Sequence, residues 1–240
     1  MTKHAMLNNV DHRDLRIETR HGAQYGDDIM CVMAVPSEFL NVVADYPIFF
    51  NKSSETGKYL PMAMFGFERG ENLYLDEEKW NATYIPLMVR RGPFAIGFQN
   101  VAEGTGVENN MVISVDMDHP RVGARDGEPV FQPFGDNSDY TDQMVDVLQE
   151  IERGQVAGEQ LVEALLEHDL LEPFSLDVRL DSGERYSLQG FHTIQEEKLA
   201  ALDGQVLADL SQRGILQACY MVIASMANIA RLIELKNKRS

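Results

Sequence analysis

Phe174-Ser-Leu-Asp-Val-Arg-Leu180, then Asp181-Ser-Gly183, then Arg185-Tyr-Ser-Leu-Gln-Gly-Phe191 is the stretch on which the fold turns. Apolar side chains at 174, 176, 178 and 180 recur with the period of two that puts them on one face of a strand. Arg185 to Phe191 alternates again, and Asp-Ser-Gly between the two runs is turn chemistry, so the spacing predicts a hairpin over 174–191. That hairpin lies among segments of helical period. The fold class read from this is α+β, a mainly antiparallel β N-terminal region with a helical C-terminal half that contains the one hairpin.

Downstream of the hairpin, Thr193 and Glu196 have the spacing of a capping box, which predicts a helix starting there and stopping near Asp203-Gly204. Val206, Leu207 and Leu210 mark a short amphipathic helix closed by Gly214, and a long helix follows from Ile215 to about Asn237. Its Lys236, Lys238 and Arg239 lie where the helix dipole favours cations. This last helix has two apolar stripes, one through Ile215, Val222, Met226, Ile229 and Ile233, the other through Leu216, Tyr220, Ile223, Ala227 and Ala230. Burial within the monomer and a homodimer through Ile215–Asn237 account for the pattern equally well.

Upstream, Met144, Val147, Leu148 and Ile151 predict one helix stopped by Gly154, and Val156, Leu161, Leu165 and Leu166 a second that Pro173 ends. Before them, Ile29 to Val35, Tyr46 to Phe50, Tyr59 to Phe67, Asn72 to Asp76, Tyr84 to Val89 and Met111 to Met117 read as strands of an antiparallel meander. Arg121 to Asp136, with two prolines and three glycines, reads as a linker. The expected organisation is a β-rich region at 1–136 and a helical region with its hairpin at 137–240, packed as one unit.

The 240 residues carry 21 Lys and Arg against 38 Asp and Glu, a formal net charge of −17. This acidity argues against non-specific nucleic-acid binding, which depends on cations neutralising phosphates, and against anionic membrane surfaces. Residues 101–172 hold 3 basic and 17 acidic side chains, whereas residues 1–100 hold 10 and 13, so the N-terminal region is close to neutral. Cys31 and Cys219 lie in apolar contexts and read as buried thiols. The longest weakly polar stretch, Ile215 to Ala230, has 16 residues, fewer than the roughly 20 of a membrane span. Residues 1–14 lack the apolar run of a secretory signal, and the expected location is the cytoplasm.

No phosphate-binding loop, serine-hydrolase elbow or zincin motif occurs. Asp116-Met-Asp118-His119 puts two carboxylates on one strand face beside a histidine, with His192 as a distant partner. This is the one candidate set for a divalent metal, and a metal-assisted enzyme acting on a peptide or amino acid is the reading it would support. Ordinary turn carboxylates explain the same residues more economically, and no cofactor is predicted. Trp80, Tyr84, Arg90 and Arg91 lie within one short segment. Paired arginines in an acidic protein either pair with internal carboxylates or present a local anion site; the second reading makes these four residues a pocket for a peptide or small anion.

Several motifs resemble the SapC family of bacterial proteins: Val35-Pro-Ser-Glu-Phe39, Asp45-Tyr-Pro-Ile-Phe-Phe50, Thr56-Gly57, Gly66 to Leu73, Trp80 to Phe94, Leu188-Gln-Gly-Phe-His-Thr-Ile194 and Arg213-Gly-Ile-Leu216, followed by Tyr220 and Ser225. The likeness runs from about residue 30 to 235. It implies a setting beside TonB-dependent receptors and flavin-dependent proteins resembling tryptophan halogenases, and it implies no reaction. The family's name points to a bacterial surface layer, so a structural role in the cell envelope is a third reading. The permease that shares the name is unrelated. The favoured expectation is a non-catalytic accessory or binding protein.

Overall fold

The computed structural model describes residues 3–54, 56–103 and 106–239. In chain order the strands are β1 (His4–Met6), β2 (Arg16–Ile17), β3 (Cys31–Met33), β4 (Ile48–Lys52), β5 (Tyr59–Met64), β6 (Leu75–Asp76), β7 (Lys79–Trp80), β8 (Phe94–Glu103), β9 (Gly106–Asp116), β10 (Glu128–Pro129), β11 (Leu171–Arg179) and β12 (Arg185–Ile194). The helices are α1 (Phe39–Val42), α2 (Leu87–Arg90), α3 (Asp139–Glu167), α4 (Glu196–Ala200), α5 (Gly204–Gln212), α6 (Ile215–Ser225) and α7 (Asn228–Asn237).

The deciding hairpin is present as β11 and β12, with Gly183 at φ 93° in its turn. Instead of standing alone it extends a five-stranded antiparallel sheet in the order β11-β12-β4-β5-β3. Strands from both ends of the sequence thus share one sheet. Its core packs Phe49, Phe50, Phe65 and Tyr74 against Val222 and Leu232 from the C-terminal helices. A second core gathers Ile17, Phe94, Val115 and Val130 beneath Met144, Val147, Leu148 and Ile151, beside a three-stranded sheet β1-β9-β8.

The two helices expected on either side of Gly154 are one helix, α3, of 29 residues. At 1.5 Å per residue it is about 43 Å long. Its first half roofs the second core, and Leu161, Val162, Ala164 and Leu165 in its second half enter the first. Gly154 stops nothing. A β-carbon there would lie 2.5 Å from Val35 Cβ, so the glycine lets the helix press against the chain at Val35. Ser138 caps the start by accepting the Thr141 N–H at 3.2 Å. The end is closed before Pro173 is reached, by Asp169 in the left-handed region at φ 52°, with Leu170 N–H on Leu165 O at 2.8 Å and Asp169 N–H on Leu166 O at 3.2 Å.

Four further expectations are corrected. Thr193 lies inside β12 opposite Glu172, so no capping box forms; Gln195 precedes α4 without a side-chain cap. The helix expected to stop near Asp203-Gly204 ends a little earlier, at Ala200, and Asp203 caps the next helix, α5, by accepting the Gln205 N–H at 2.8 Å. Arg121 to Asp136 is no free linker: β10 pairs with β2, and Arg121, Val130 and Phe131 are buried. The final helix is interrupted at Met226–Ala227, where backbone bonds shorten to the i−3 spacing. There Ser225 Oγ accepts the Ile48 N–H at 2.8 Å and Asn228 donates to Val43 O at 2.8 Å, tying the break to the start of β4 and the end of α1.

Taken as one run, Ile215–Asn237 has 23 residues and a mean hydropathy of 1.4 in its most apolar window, enough to cross a membrane by length and composition alone. A buried core helix meets the same criterion. Ile215, Ala218, Cys219, Val222 and Leu232 are buried against the sheet, and Lys236 pairs with Glu68 at 2.9 Å and with Glu71 at 2.5 Å.

Candidate functional site

The segment from Tyr84 to Val89 is not the expected strand. Pro86 opens one helical turn, α2, and the reason lies 49 residues upstream. The buried Glu38 carboxylate accepts the N–H of Leu87 at 2.9 Å, the N–H of Val35 at 3.0 Å and the Tyr84 hydroxyl at 3.0 Å. An anion at the start of a helix satisfies donors that the helix itself leaves open. Burial pushes the Glu38 carboxyl above its ordinary range, opposed by these three hydrogen bonds and by Arg90.

Successive helical residues diverge by about 100°, so the one turn of α2 separates the two arginines. Arg90 lines a cleft of about 390 Å³ with Glu18, His21, Tyr84 and Tyr140. Arg91 lines a pocket of about 280 Å³ with His4, Tyr25, Asp116, His119 and Arg121. The two hollows share Val89, Gly92 and Arg121.

Arg121, between them, is fully engaged. Its guanidinium holds Asp27 through Nη2 at 2.8 and 2.6 Å, donates through Nη1 to the carbonyls of Glu18 and Arg20, and lies 5.4 Å from the centre of the Tyr25 ring. Asp27 also accepts the Gly22 N–H and meets His21 Nδ1, both at 3.0 Å. Burial alone would raise the Asp27 carboxyl, but His21 and Arg121 hold it below its usual range.

Arg91 differs. Its Nη1 donates to Phe94 O at 2.7 Å, its Nε is buried without a hydrogen-bond partner, and among the described residues no carboxylate lies within ion-pair distance of it. His119 Nδ1 accepts the Arg121 N–H at 3.2 Å, which leaves Nε2 to carry the proton of the neutral ring. Burial first, then the Arg121 charge, keeps the His119 ring below its ordinary pKa, with Asp116 opposing.

The four residues expected to form one ligand site therefore separate. Arg90 and Tyr84 share the larger cleft and Arg91 enters the smaller pocket. Trp80 lines neither: its Nε1 donates to the Tyr46 hydroxyl at 2.6 Å, Tyr46 donates in turn to Tyr84 O, and the indole packs edge-on against Phe65 and His21.

The candidate metal set also divides. Asp116 and His119 line the pocket of Arg91, whereas Asp118 accepts the Lys3 N–H at 3.1 Å and gives its own N–H to Asp116 Oδ1 at 3.1 Å, as turn residues do. His192 is in another sheet, opposite Phe50, with its ring 4.8 Å from that of Tyr59. Among the described residues no group of three or more His, Cys, Asp or Glu side chains is placed to hold a metal ion. Sequence reading missed Arg121 and Asp27, whose only signal was a buried-type ion pair 94 residues apart.

No curated protein and no solved structure matches the chain. The sequence model described as SapC matches residues 7–232, nearly the whole of the 240, including every residue of both hollows except His4. By that match the chain belongs to the SapC family.

Proposed function

We propose that the protein is a non-catalytic binding protein that takes a small carboxylate, free or at the end of a peptide, in the pocket of Arg91. One observation carries the reading: the Arg91 Nε is a buried donor with no acceptor. Leaving such a donor unmet costs about 1–3 kcal/mol, which a bound carboxylate oxygen would recover. The guanidinium fork matches a carboxylate in shape and charge. Of the other charges in the pocket, Asp27 is taken by Arg121, while Asp116 accepts only the neutral Asp118 N–H and keeps its own charge, which the Arg91 guanidinium must outweigh. Neutral His119 adds a donor at Nε2 without adding a charge. The setting beside a TonB-receptor-linked uptake or modification system rests on the family resemblance alone.

Calorimetric titration with acetate and succinate tests the reading. Saturable binding by the native protein, lost in Arg91→Met with the melting temperature preserved, is the expected result. Absence of binding, or binding unchanged in the variant, overturns it.

A further inference from the structure

A hollow of about 730 Å³ lies between α3 and β5. Its size falls within the roughly 300–1,000 Å³ of ligand sites. Val35, Leu60, Val162 and Leu166 give it apolar walls. Three features make it more than an apolar groove.

The first is a free strand edge. β3 pairs with Met62 to Met64 of β5, Ala34 N–H gives a last bond to Pro61 O at 2.9 Å, and the chain then turns away at Pro36. On the β4 side, Ser53 N–H bonds Lys58 O at 2.8 Å. Backbone groups alternate along a strand, so the N–H and C=O of Tyr59 point away from β4, past the end of β3 and toward the groove that Tyr59 lines. Among the described residues no hydrogen bond from outside the β4–β5 pair reaches them. The second feature is a pair of unmatched charges. Lys58 and Glu159 form an ion pair at 2.7 Å, but Lys52 and Glu163, which line the same groove, have no ion-pair partner among the described residues. The third is the Lys52 ammonium, which stands 5.4 Å from the centre of the Tyr59 ring, beside the exposed edge.

We infer that this groove binds a short apolar peptide with free ends, added as an extended strand along Tyr59. Main-chain hydrogen bonds to Tyr59 supply affinity, the walls accept aliphatic side chains, and Lys52 and Glu163 take the carboxylate and the ammonium of the ligand. The opposite unmatched charges select a zwitterion over a fatty acid, which offers no cation to Glu163.

Tri-leucine is the probe, titrated by calorimetry into the native protein. Saturable binding is expected, weakened about tenfold by Lys52→Met, by Glu163→Gln and by blocking either end of the peptide, as loss of one charge-assisted hydrogen bond implies. Leu166→Asp, at a side chain already 53 % exposed, is expected to abolish binding without loss of folding. Slower hydrogen exchange at the Tyr59 amide in the complex reports the added strand. No heat with millimolar tri-leucine, equal binding by the doubly blocked peptide, or an unprotected Tyr59 amide overturns the inference. Saturating succinate leaves tri-leucine affinity unchanged if the two sites are distinct; competition would put the peptide carboxylate at Arg91 and overturn the groove.

Discussion

Gly154 of α3 faces Val35 so closely that a β-carbon on the glycine would lie 2.5 Å from Val35 Cβ, nearer than side chains approach. The contact joins the long helix to the segment that leads from β3 into the turn at Pro36. Replacing a helical glycine by alanine ordinarily adds about 1 kcal/mol. Here overpacking of about 1–3 kcal/mol opposes the gain, so Gly154→Ala is expected to destabilise by about 1 kcal/mol. Gly158→Ala, whose β-carbon would meet only Pro36 Cδ at 3.7 Å, is expected to stabilise. Urea denaturation of both variants measures the contrast, and a stabilising Gly154→Ala would contradict the close approach.

Asp169 closes the same helix in a backbone conformation that costs most L-residues about 1–2 kcal/mol. Asp169→Gly removes that cost and forfeits an exposed ion pair with Lys198 worth at most about 1 kcal/mol. A gain of about 0.5 kcal/mol is expected, against a loss of about 1 kcal/mol for Asp169→Val, which cannot enter the left-handed region cheaply. Pro173, in the edge strand β11, is already beyond the helix end. Circular dichroism of Pro173→Ala is accordingly expected to show unchanged helix content.

These positions separate what a sequence can reveal from what it cannot. The hairpin at 174–191, the mixed fold class and the helix closed at Gly214 depend on spacing within one segment, and local patterning was enough. Gly154, Thr193 and Tyr84 to Val89 misled because their roles are set by distant partners: Val35 against the glycine, Glu172 opposite the threonine, and Glu38 beneath the start of α2. Arg121 looked like part of a linker because the carboxylate that buries it is nearly a hundred residues away. For the same reason the double arginine could be noticed but its two directions could not be assigned without the turn of α2.

The Asp27–Arg121 pair predicts an acid-sensitive term in stability. The folded-state pKa of Asp27 is lowered, so its contribution is present above the ordinary carboxylate range, near pH 4, and is lost as pH falls through the lowered value. Glu18 acts in the same sense, held down to about 2 mainly by the Arg20 side chain and backbone N–H. Asp27→Asn leaves Arg121 buried beside a neutral amide, and a loss of about 3–5 kcal/mol at pH 7 is expected. Urea midpoints of native and variant protein should converge as the pH is lowered toward 2. A gap independent of pH would show that the charge of Asp27 is not the source.

Tyr46 is completely buried, and its hydroxyl accepts from the only tryptophan and donates to Tyr84 O. Tyr46→Phe would leave the Trp80 Nε1 without its acceptor and Tyr84 O without its donor. A loss of about 1–3 kcal/mol is expected. Trp80 fluorescence reports the change directly, since no other indole contributes, and an emission maximum unmoved together with full stability would mean that the hydrogen-bond chain is not maintained in solution.

Arg90 and Arg91 are adjacent in sequence but belong to different hollows, and this makes the functional reading sharp. If any exposed cation sufficed to hold a carboxylate, removing either arginine would weaken binding equally. In the arrangement found here Arg90 lies near the Glu38 carboxylate, which its charge helps to keep ionised, while Arg91 has a buried, unmatched donor. Acetate or succinate affinity is therefore expected to fall at least about tenfold in Arg91→Met and to change less than about twofold in Arg90→Met, the difference expected for one charge-assisted hydrogen bond. Arg91→Lys supplies the decisive control. It restores a positive charge without the planar fork or the Nε, so recovery of affinity would reduce the site to simple charge attraction, whereas continued loss would assign recognition to the guanidinium geometry.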